Sequence, residues 1–372
     1  MTCLASAFNA CSQRAAQQLL YKENAEKSLA AKTLVPTEQC IEGMLIDRHL
    51  QRSPRQAYAV DGTLSLSVRP SGWTKTALGP SIKRLGAGTG GSVDLHYCRS
   101  LNKVVAVKTL READGKSAGS PVPMRQQVLE ELGIASNVRH PNIVRTFEII
   151  VEANICYLVM EACTTNLLTL LQQKRQTGRP ADLGVFVQLV RGVHYLHSMG
   201  IGHRDLKLDN VCITEQGTVK IVDFGCATLF RRRQAQSTDK SVDYVETLSV
   251  GVCGSDPYMA PELFSASSYF APKVDIWALG IIYFALRHLQ FPWAVAHEAH
   301  DSGFCAFARS PRPFIDTWFG GDIQAVNFLN MTQRQCQMTH TAQHIMARVL
   351  DVNPSTRADI YDIIRDPWFQ SL

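Results

Sequence analysis

The run His203-Arg204-Asp205-Leu206-Lys207-Leu208-Asp209-Asn210 holds the parts of a group-transfer site in eight residues. A carboxylate at Asp205 can orient a hydroxyl and take its proton, a cation at Lys207 can meet a migrating phosphate, and an amide oxygen at Asn210 can hold a metal. Alone, a polar loop of this composition reads as a solvated turn. Asp223-Phe224-Gly225 then follows Asp205 by 18 residues, directly after the apolar run Val219 to Val222. A carboxylate at a strand end beside Asn210 makes a hard, oxygen-only site of the kind that suits Mg²⁺.

A second cluster lies upstream. Leu85 precedes Gly86-Ala87-Gly88-Thr89-Gly90-Gly91-Ser92-Val93, a Gly-x-Gly-x-x-Gly-x-Val pattern set between two strand patterns. Without side chains in the way, its backbone amides can approach phosphate oxygens; a plain hairpin with clustered glycines would look much the same. A strand, not a helix, follows the glycines, which disfavours a dinucleotide fold. Lys108 ends the strand-like run Val105-Ala106-Val107, 22 residues after Gly86. By itself it reads as a lysine reaching for water; behind a glycine loop it reads as a cation for phosphates. Such a lysine needs a carboxylate to hold it. Glu131 is preferred over Glu130, which would face about 100° away on the same helix.

These residues need elements to carry them. Val93, Leu95 and Tyr97 alternate with polar neighbours, and Lys103 to Thr109 and Ile155 to Met160 are rich in Val, Ile and Tyr; all three segments read as strands. Met124 to Val138 reads as a helix between them. After about Ala162 helical patterns dominate: Phe186, Leu189, Val190, Val193 and Leu196 keep a 3.6-residue beat. Asp275 is expected to cap a helix that is apolar nearly all round. Strands first and helices afterwards predict an α+β, bilobal fold, with a small, mainly β N-lobe over about 79–161 and a larger, mainly α C-lobe over about 164–372. Residues 1–78 read as a flexible extension with one plausible helix over Ala15 to Lys32.

The chain resembles the eukaryotic protein kinases over about residues 80 to 372. The likeness rests on the motifs above and continues through Ala260-Pro261-Glu262, Asp275-Ile276-Trp277-Ala278-Leu279-Gly280 and Arg357, which resembles the buried partner of Glu262. It implies transfer of the γ-phosphate of ATP to Ser or Thr of protein substrates. Gly86 to Gly91 would cover the phosphates, Lys108 would hold them with Glu131 behind it, Mg²⁺ would sit on Asn210 and Asp223, Asp205 would orient the acceptor hydroxyl and Lys207 would meet the migrating phosphate. It also implies an adenine site bounded by Val93 and Ala106 above and Cys212 below, with Met160 as gatekeeper and Glu161, Ala162 and Cys163 in the hinge. Ser255 stands where a hydroxyl would bond near Asp205. The segment from Asp223 to Glu262 would be an activation segment, with Thr247 or Ser249 as phosphorylation sites and Arg204 as their cation. Asp209 would favour basic residues before the target. A narrower likeness, in Gly254-Ser255-Asp256-Pro257-Tyr258-Met259, His197 to Asp205 and Phe291-Pro292-Trp293 with Asp301 and Phe304, is to the fungal nitrogen-permease-reactivator and halotolerance kinases, regulators of nutrient and ion transporters.

Composition bounds the alternatives. Of 372 residues, 24 are Gly and 16 Pro, which excludes collagen-like and largely disordered chains, and a net charge of +5 is too small for a dedicated nucleic-acid binder. Eleven cysteines without a Cys-x-x-Cys pair point to a reducing compartment, with most of the thiols acting as small core residues. The longest apolar run, Ile276 to Leu286, is too short to span a bilayer, and the start has no apolar core for secretion; a lone Arg14 is thin support for a mitochondrial presequence. A cytoplasmic protein is expected, monomeric in its catalytic domain, with no stable membrane insertion. Three other readings remain open: a nucleotide- or partner-binding scaffold without catalysis; a small-molecule phosphotransferase, which would not need Ala260-Pro261-Glu262 to dock a peptide; and a chain in which the N-terminal extension, residues 1–78, does the cellular work through partner binding.

Overall fold

The structure, a computed structural model, describes residues 65–69, 73–88, 91–111, 126–152, 155–177, 183–233, 244–320 and 343–372. The first lobe holds β1 (Ser65–Arg69), α1 (Trp73–Leu78), β2 (Ser81–Gly88), β3 (Gly91–Cys98), β4 (Lys103–Arg111), α2 (Gln126–Asn137), β5 (Thr146–Glu152) and β6 (Ile155–Glu161). Its six strands pair in the order β1-β5-β6-β4-β3-β2. The two-residue period of β4 divides its side chains between two jobs. Val105 and Val107 go to one face, buried with Leu78, Cys98, Ile150 and Val159. Ala106, Lys108 and Leu110 go to the other, where Leu110 joins Leu132 of α2 in the main core.

Two elements depart from the expected extension through residue 78. β1 pairs in parallel with β5, from Ser65 opposite Glu148 to Arg69 opposite Glu152. α1 is tied down where the Thr74 amide donates to Glu152 Oε2 at 3.0 Å and Leu78 is buried. The sheet lobe therefore begins by residue 65. The helix expected over Ala15 to Lys32 lies outside the described residues.

The second lobe is mainly helical. It contains β7 (Thr165–Asn166), α3 (Leu167–Thr177), α4 (Leu183–Ser198), β8 (Ile201–Gly202), β9 (Val211–Ile213), β10 (Val219–Ile221), β11 (Thr228–Leu229), β12 (Arg231–Arg233), β13 (Tyr244–Glu246), β14 (Ser249–Val250), β15 (Ser268–Tyr269) and α5 (Ala271–His288), with further helices to the end. The five apolar positions of α4 picked out by their spacing are all fully buried. α5 is buried along nearly its whole length, as its apolar surface requires. It starts at Ala271, with Pro272 pre-set in the first turn, so Asp275 does not cap it. Asp275 lies one turn inside and does different work, described below. One contiguous core runs from Leu110 and Leu132 to Trp277 and Ile281 and so joins the lobes. Among the described residues no helix is long and apolar enough to cross a membrane.

Candidate active site

Lys108 stands between the lobes. Its Nζ donates to Glu131 Oε1 of α2 at 2.5 Å and to Asp223 Oδ1, from the loop after β10, at 2.7 Å. Glu131 is 5% exposed and Glu130 lies on the exposed side, so the helical turn separates the two neighbours as expected. Burial alone would lower the Lys108 pKa, but the charges of Glu131 and Asp223 outweigh it and hold the ammonium above its ordinary value. Burial likewise pushes against the Asp223 carboxylate, and Lys108 overcomes it, keeping that carboxyl below its ordinary value. Asp223 adopts φ 65°, left-handed backbone that costs a non-glycine residue free energy and here aims the carboxylate at Lys108. A Cβ on Gly225 would meet Asp223 Oδ1 at 3.3 Å and Glu131 Oε2 at 3.4 Å, so glycine keeps this corner open.

The loop from His203 to Asn210 carries a closed set of hydrogen bonds. Lys207 Nζ donates to Asp205 Oδ2 at 2.7 Å and to Ser255 Oγ at 2.8 Å, and Ser255 donates to Asp205 Oδ1 at 3.0 Å. Asn210 Nδ2 donates to the Asp205 carbonyl at 2.9 Å and to Asp205 Oδ2 at 3.1 Å. Both amide hydrogens are thereby used, and the Asn210 side-chain oxygen is the atom available to a cation. The Val222 amide donates to the Asn210 carbonyl at 3.0 Å, which sets Asp223 beside Asn210. One carboxylate and one amide oxygen fit a hard divalent cation such as Mg²⁺.

Asp275, read from sequence as a helix cap, positions this loop. Its Oδ2 accepts from the His203 amide at 2.8 Å and contacts His197 Nε2 at 2.9 Å, while Oδ1 accepts from the Arg204 amide at 2.8 Å. Three partners satisfy a carboxylate that is 1% exposed, and they let Arg204 hold φ 64° just before Asp205.

The glycine loop is the β2–β3 turn. Gly91, with φ 120°, has no alternative, because a Cβ there would come within 2.0 Å of the Thr109 carbonyl oxygen. Thr89 and Gly90 lie outside the described residues. Leu85, Gly86 and Ala87 are exposed, Gly88 pairs with Gly91, and Ser92 with Ala87. Val93 pairs with Lys108, and Ala106 with Met160 of β6, which brings Val93, Ala106 and Met160 into one stretch of sheet. Glu161 forms an ion pair with Lys220 at 2.8 Å. Cys163, just after β6, and Cys212, in β9, meet: the Cys163 thiol hydrogen-bonds to Cys212, which raises the pKa of the first and lowers that of the second.

Two further expectations concern the segment from Asp223 to Glu262. Its end is anchored as foreseen: Arg357 Nη1 and Nη2 donate to Glu262 Oε1 and Oε2 at 2.7 and 2.9 Å. Its cysteines differ. Cys226 and Cys253, read from sequence as small core thiols, form a disulfide, because the segment folds back and brings their Cα atoms to 6.3 Å. Nothing in their 27-residue separation announces the pairing. Of the two candidate modification sites, Thr247 is exposed, whereas Ser249 is buried in the β14–β15 pair. Arg204 already has partners in the Cys226 carbonyl at 2.6 Å and Tyr269 Oη at 3.1 Å.

Residues 80–369 match the model of the protein kinase domain. The chain is 33% identical over 315 residues to the nitrogen permease reactivator protein of Saccharomyces cerevisiae, covering 77% of this chain and 38% of that protein. It is 31% identical over 269 residues to the serine/threonine-protein kinase hal4 of Schizosaccharomyces pombe, 72% of this chain and 38% of the relative. It is 29% identical over 290 residues to CBL-interacting protein kinase 5 of Oryza sativa subsp. japonica, 77% and 55%. The chain thus spans well under half the length of the two fungal relatives.

Proposed function

The chain belongs to the protein kinase family, and on that footing we propose that it transfers the γ-phosphoryl group of ATP to Ser or Thr hydroxyls of protein substrates. The observation that carries this reading is the convergence of Lys108, Glu131 and Asp223 at one edge of the cleft and Asp205, Lys207, Asn210 and Ser255 beside them. Lys108, held by Glu131, binds phosphate oxygens beneath the glycine loop from Gly86 to Gly91. Val93, Ala106, Met160, Cys163 and Cys212 enclose the base, with Leu85 at its rim and Glu161 fixed by Lys220 at the hinge. Asp205 accepts the proton of the incoming hydroxyl; Lys207, bonded to Asp205 and Ser255, offsets the charge that develops on the transferred group. Asn210 and Asp223 hold Mg²⁺, which when bound neutralises charge on the phosphates.

The sheet lobe and helical lobe, from about residue 65 to 372, form the catalytic domain, working as a monomer in the cytoplasm, with no nucleic-acid partner. Asp209 favours basic residues before the target. The name of the nitrogen permease reactivator protein supports nutrient transporters as the regulated class, with ion transporters as a second candidate. The test is ATP-dependent phosphorylation of a mixed Ser/Thr peptide library by the native chain and by Asp205→Ala. Incorporation that needs a divalent cation and falls at least about 10²-fold in the variant is expected; equal incorporation by both proteins rejects the reading.

A further inference from the structure

The Cys226–Cys253 bond joins two points that matter to the site and to little else. Cys226 directly follows Asp223-Phe224-Gly225, and Cys253 directly precedes Gly254-Ser255, whose hydroxyl bonds to Asp205 at 3.0 Å. Both cysteines are half-buried, within reach of a small thiol. They are also ringed by polar contacts to the same two stretches of chain. Arg204 donates to the Cys226 carbonyl and to Tyr269 Oη, and Tyr269 donates to the Gly251 carbonyl at 3.0 Å. The bond closes on the activation segment itself, where the side chains of Tyr244, Leu248, Val250 and Val252 are exposed. Among the described residues the other cysteines form no disulfide, and burial pushes the Cys156 thiol up to about 12.

We infer that Cys226 and Cys253 form a reversible thiol–disulfide clasp that holds Ser255 and the activation segment docked against Asp205, so that peptide phosphorylation depends on the redox state of this pair. The inference rests on the kinase reading for its catalytic readout. Opening consumes two molecules of a low-molecular-weight thiol of the glutathione class. A thiolate attacks one cysteine sulfur and the S–S bond breaks, its electron pair leaving on the other sulfur. A second thiolate then attacks the mixed disulfide, releasing the remaining cysteine thiolate and one low-molecular-weight disulfide. Two cysteine sulfurs are reduced, two thiols are oxidised, and the two thiol protons are taken up by the cysteine thiolates. Closing is the reverse reaction. With the clasp open, Ser255 is held to Asp205 by hydrogen bonds alone. A disulfide of this kind in a reducing compartment is regulatory more often than structural.

The experiment equilibrates the full chain in glutathione/glutathione-disulfide buffers of graded ratio, traps thiols by alkylation, and maps the cysteines by peptide mass spectrometry. Peptide kcat/KM, nucleotide affinity and tryptic cleavage between residues 231 and 253 are followed in the same samples. Cys226 and Cys253 are expected to convert together as one two-electron couple. Over the same range, kcat/KM falls at least about tenfold on reduction, because the hydroxyl next to Asp205 loses its fixed position. Nucleotide affinity stays within about twofold, since Lys108, Glu131 and Asp223 lie outside the clasp. Cys226→Ser and Cys253→Ser hold the reduced-state activity in every buffer. The inference is overturned if no buffer yields the linked peptides, if the bond forms and kcat/KM does not move, or if both serine variants keep the native redox response. Should the variants fail to fold, the native titration decides alone. If the native chain phosphorylates nothing, the kinase reading fails separately, and faster cleavage of the segment on reduction still supports the clasp while unchanged cleavage overturns it.

Discussion

Two buried ion pairs in this molecule use the same charges for opposite ends. Glu262 and Arg357 meet in the helical lobe with the guanidinium fully buried, two parallel bonds to the carboxylate, and further bonds from Arg357 to the carbonyls of Asp351 and Lys273. Every donor direction that matters is occupied, and the guanidinium also lies 4.9 Å from the ring of Trp277. Lys108 instead shares one ammonium between Glu131, which is enclosed, and Asp223, whose side chain is 44% exposed. The planar fork suits a joint that must not move, and the single rotatable ammonium suits one that exchanges partners when phosphate arrives. A buried pair is thus evidence of anchoring or of chemistry according to whether one face remains open.

That contrast predicts opposite failures. Lys108→Met should lower kcat/KM by roughly 10³-fold, about 4 kcal/mol of transition-state stabilisation. Its melting temperature should move little, because Glu131, whose carboxyl burial raises above the ordinary value, can take a proton once its cation is gone. Steady-state kinetics beside a thermal melt separates the two quantities. Arg357→Met should do the reverse, destabilising the fold by about 3–5 kcal/mol because Glu262 is left buried and unpaired. The folded fraction should still bind nucleotide, as denaturant unfolding and calorimetry would report. Equal stability losses in the two variants would erase the distinction.

How much of this was legible follows from how local each signal is. The placement of Lys108 and the choice of Glu131 over Glu130 need only strand alternation and one helical turn, and both agree with the structure. The five-position stripe of α4 is local for the same reason. β1 is five residues, Ser-Leu-Ser-Val-Arg, just before Pro70-Ser71-Gly72, and it becomes a strand through pairing with residues about eighty positions away. Asp275 looks like a cap because Asp precedes an apolar run, yet its carboxylate is claimed by amides more than seventy residues upstream. The Cys226–Cys253 bond is set by how the activation segment folds back. Ser255 was legible through family resemblance alone, since one serine in a loop carries no periodic signal.

A smaller effect refines the comparison at the catalytic loop, where no pair is closed off from its neighbours. Ser255→Ala removes one donor to Asp205 and one acceptor of Lys207 while the Asp205–Lys207 contact remains. Hydrogen bonds to charged groups contribute about 1.5–3 kcal/mol, so kcat/KM should fall by roughly ten- to a hundredfold with unchanged nucleotide affinity. A loss as large as that of Lys108→Met would mean that the hydroxyl, not the cation, organises the cluster.

The smallest effect concerns a joint between the lobes that works because it is neutral. His140, after α2, stacks on Tyr195 of α4 with ring centroids 5.0 Å apart, and its Nδ1 accepts from the Asn142 amide at 3.1 Å. Burial first, then the charges of His194, Lys220 and Arg191, lower its pKa from 6.5 to about 4. The unfolded chain therefore takes up this proton before the folded one does. The contribution is intact above pH 6.5, declines as pH falls through the window to about 4, and is constant below it. His194, also lowered, adds to the same slope. Asp223, whose carboxyl Lys108 holds below its ordinary value, loses its contribution mainly under more acidic conditions, as pH falls through its unfolded value towards its lowered folded one. Urea unfolding at intervals between pH 7 and 4 should show stability decreasing in the native chain and decreasing less steeply in His140→Gln. Identical slopes would show that the imidazole is free to protonate in place, and that the contact with Asn142 does not hold the lobes in register.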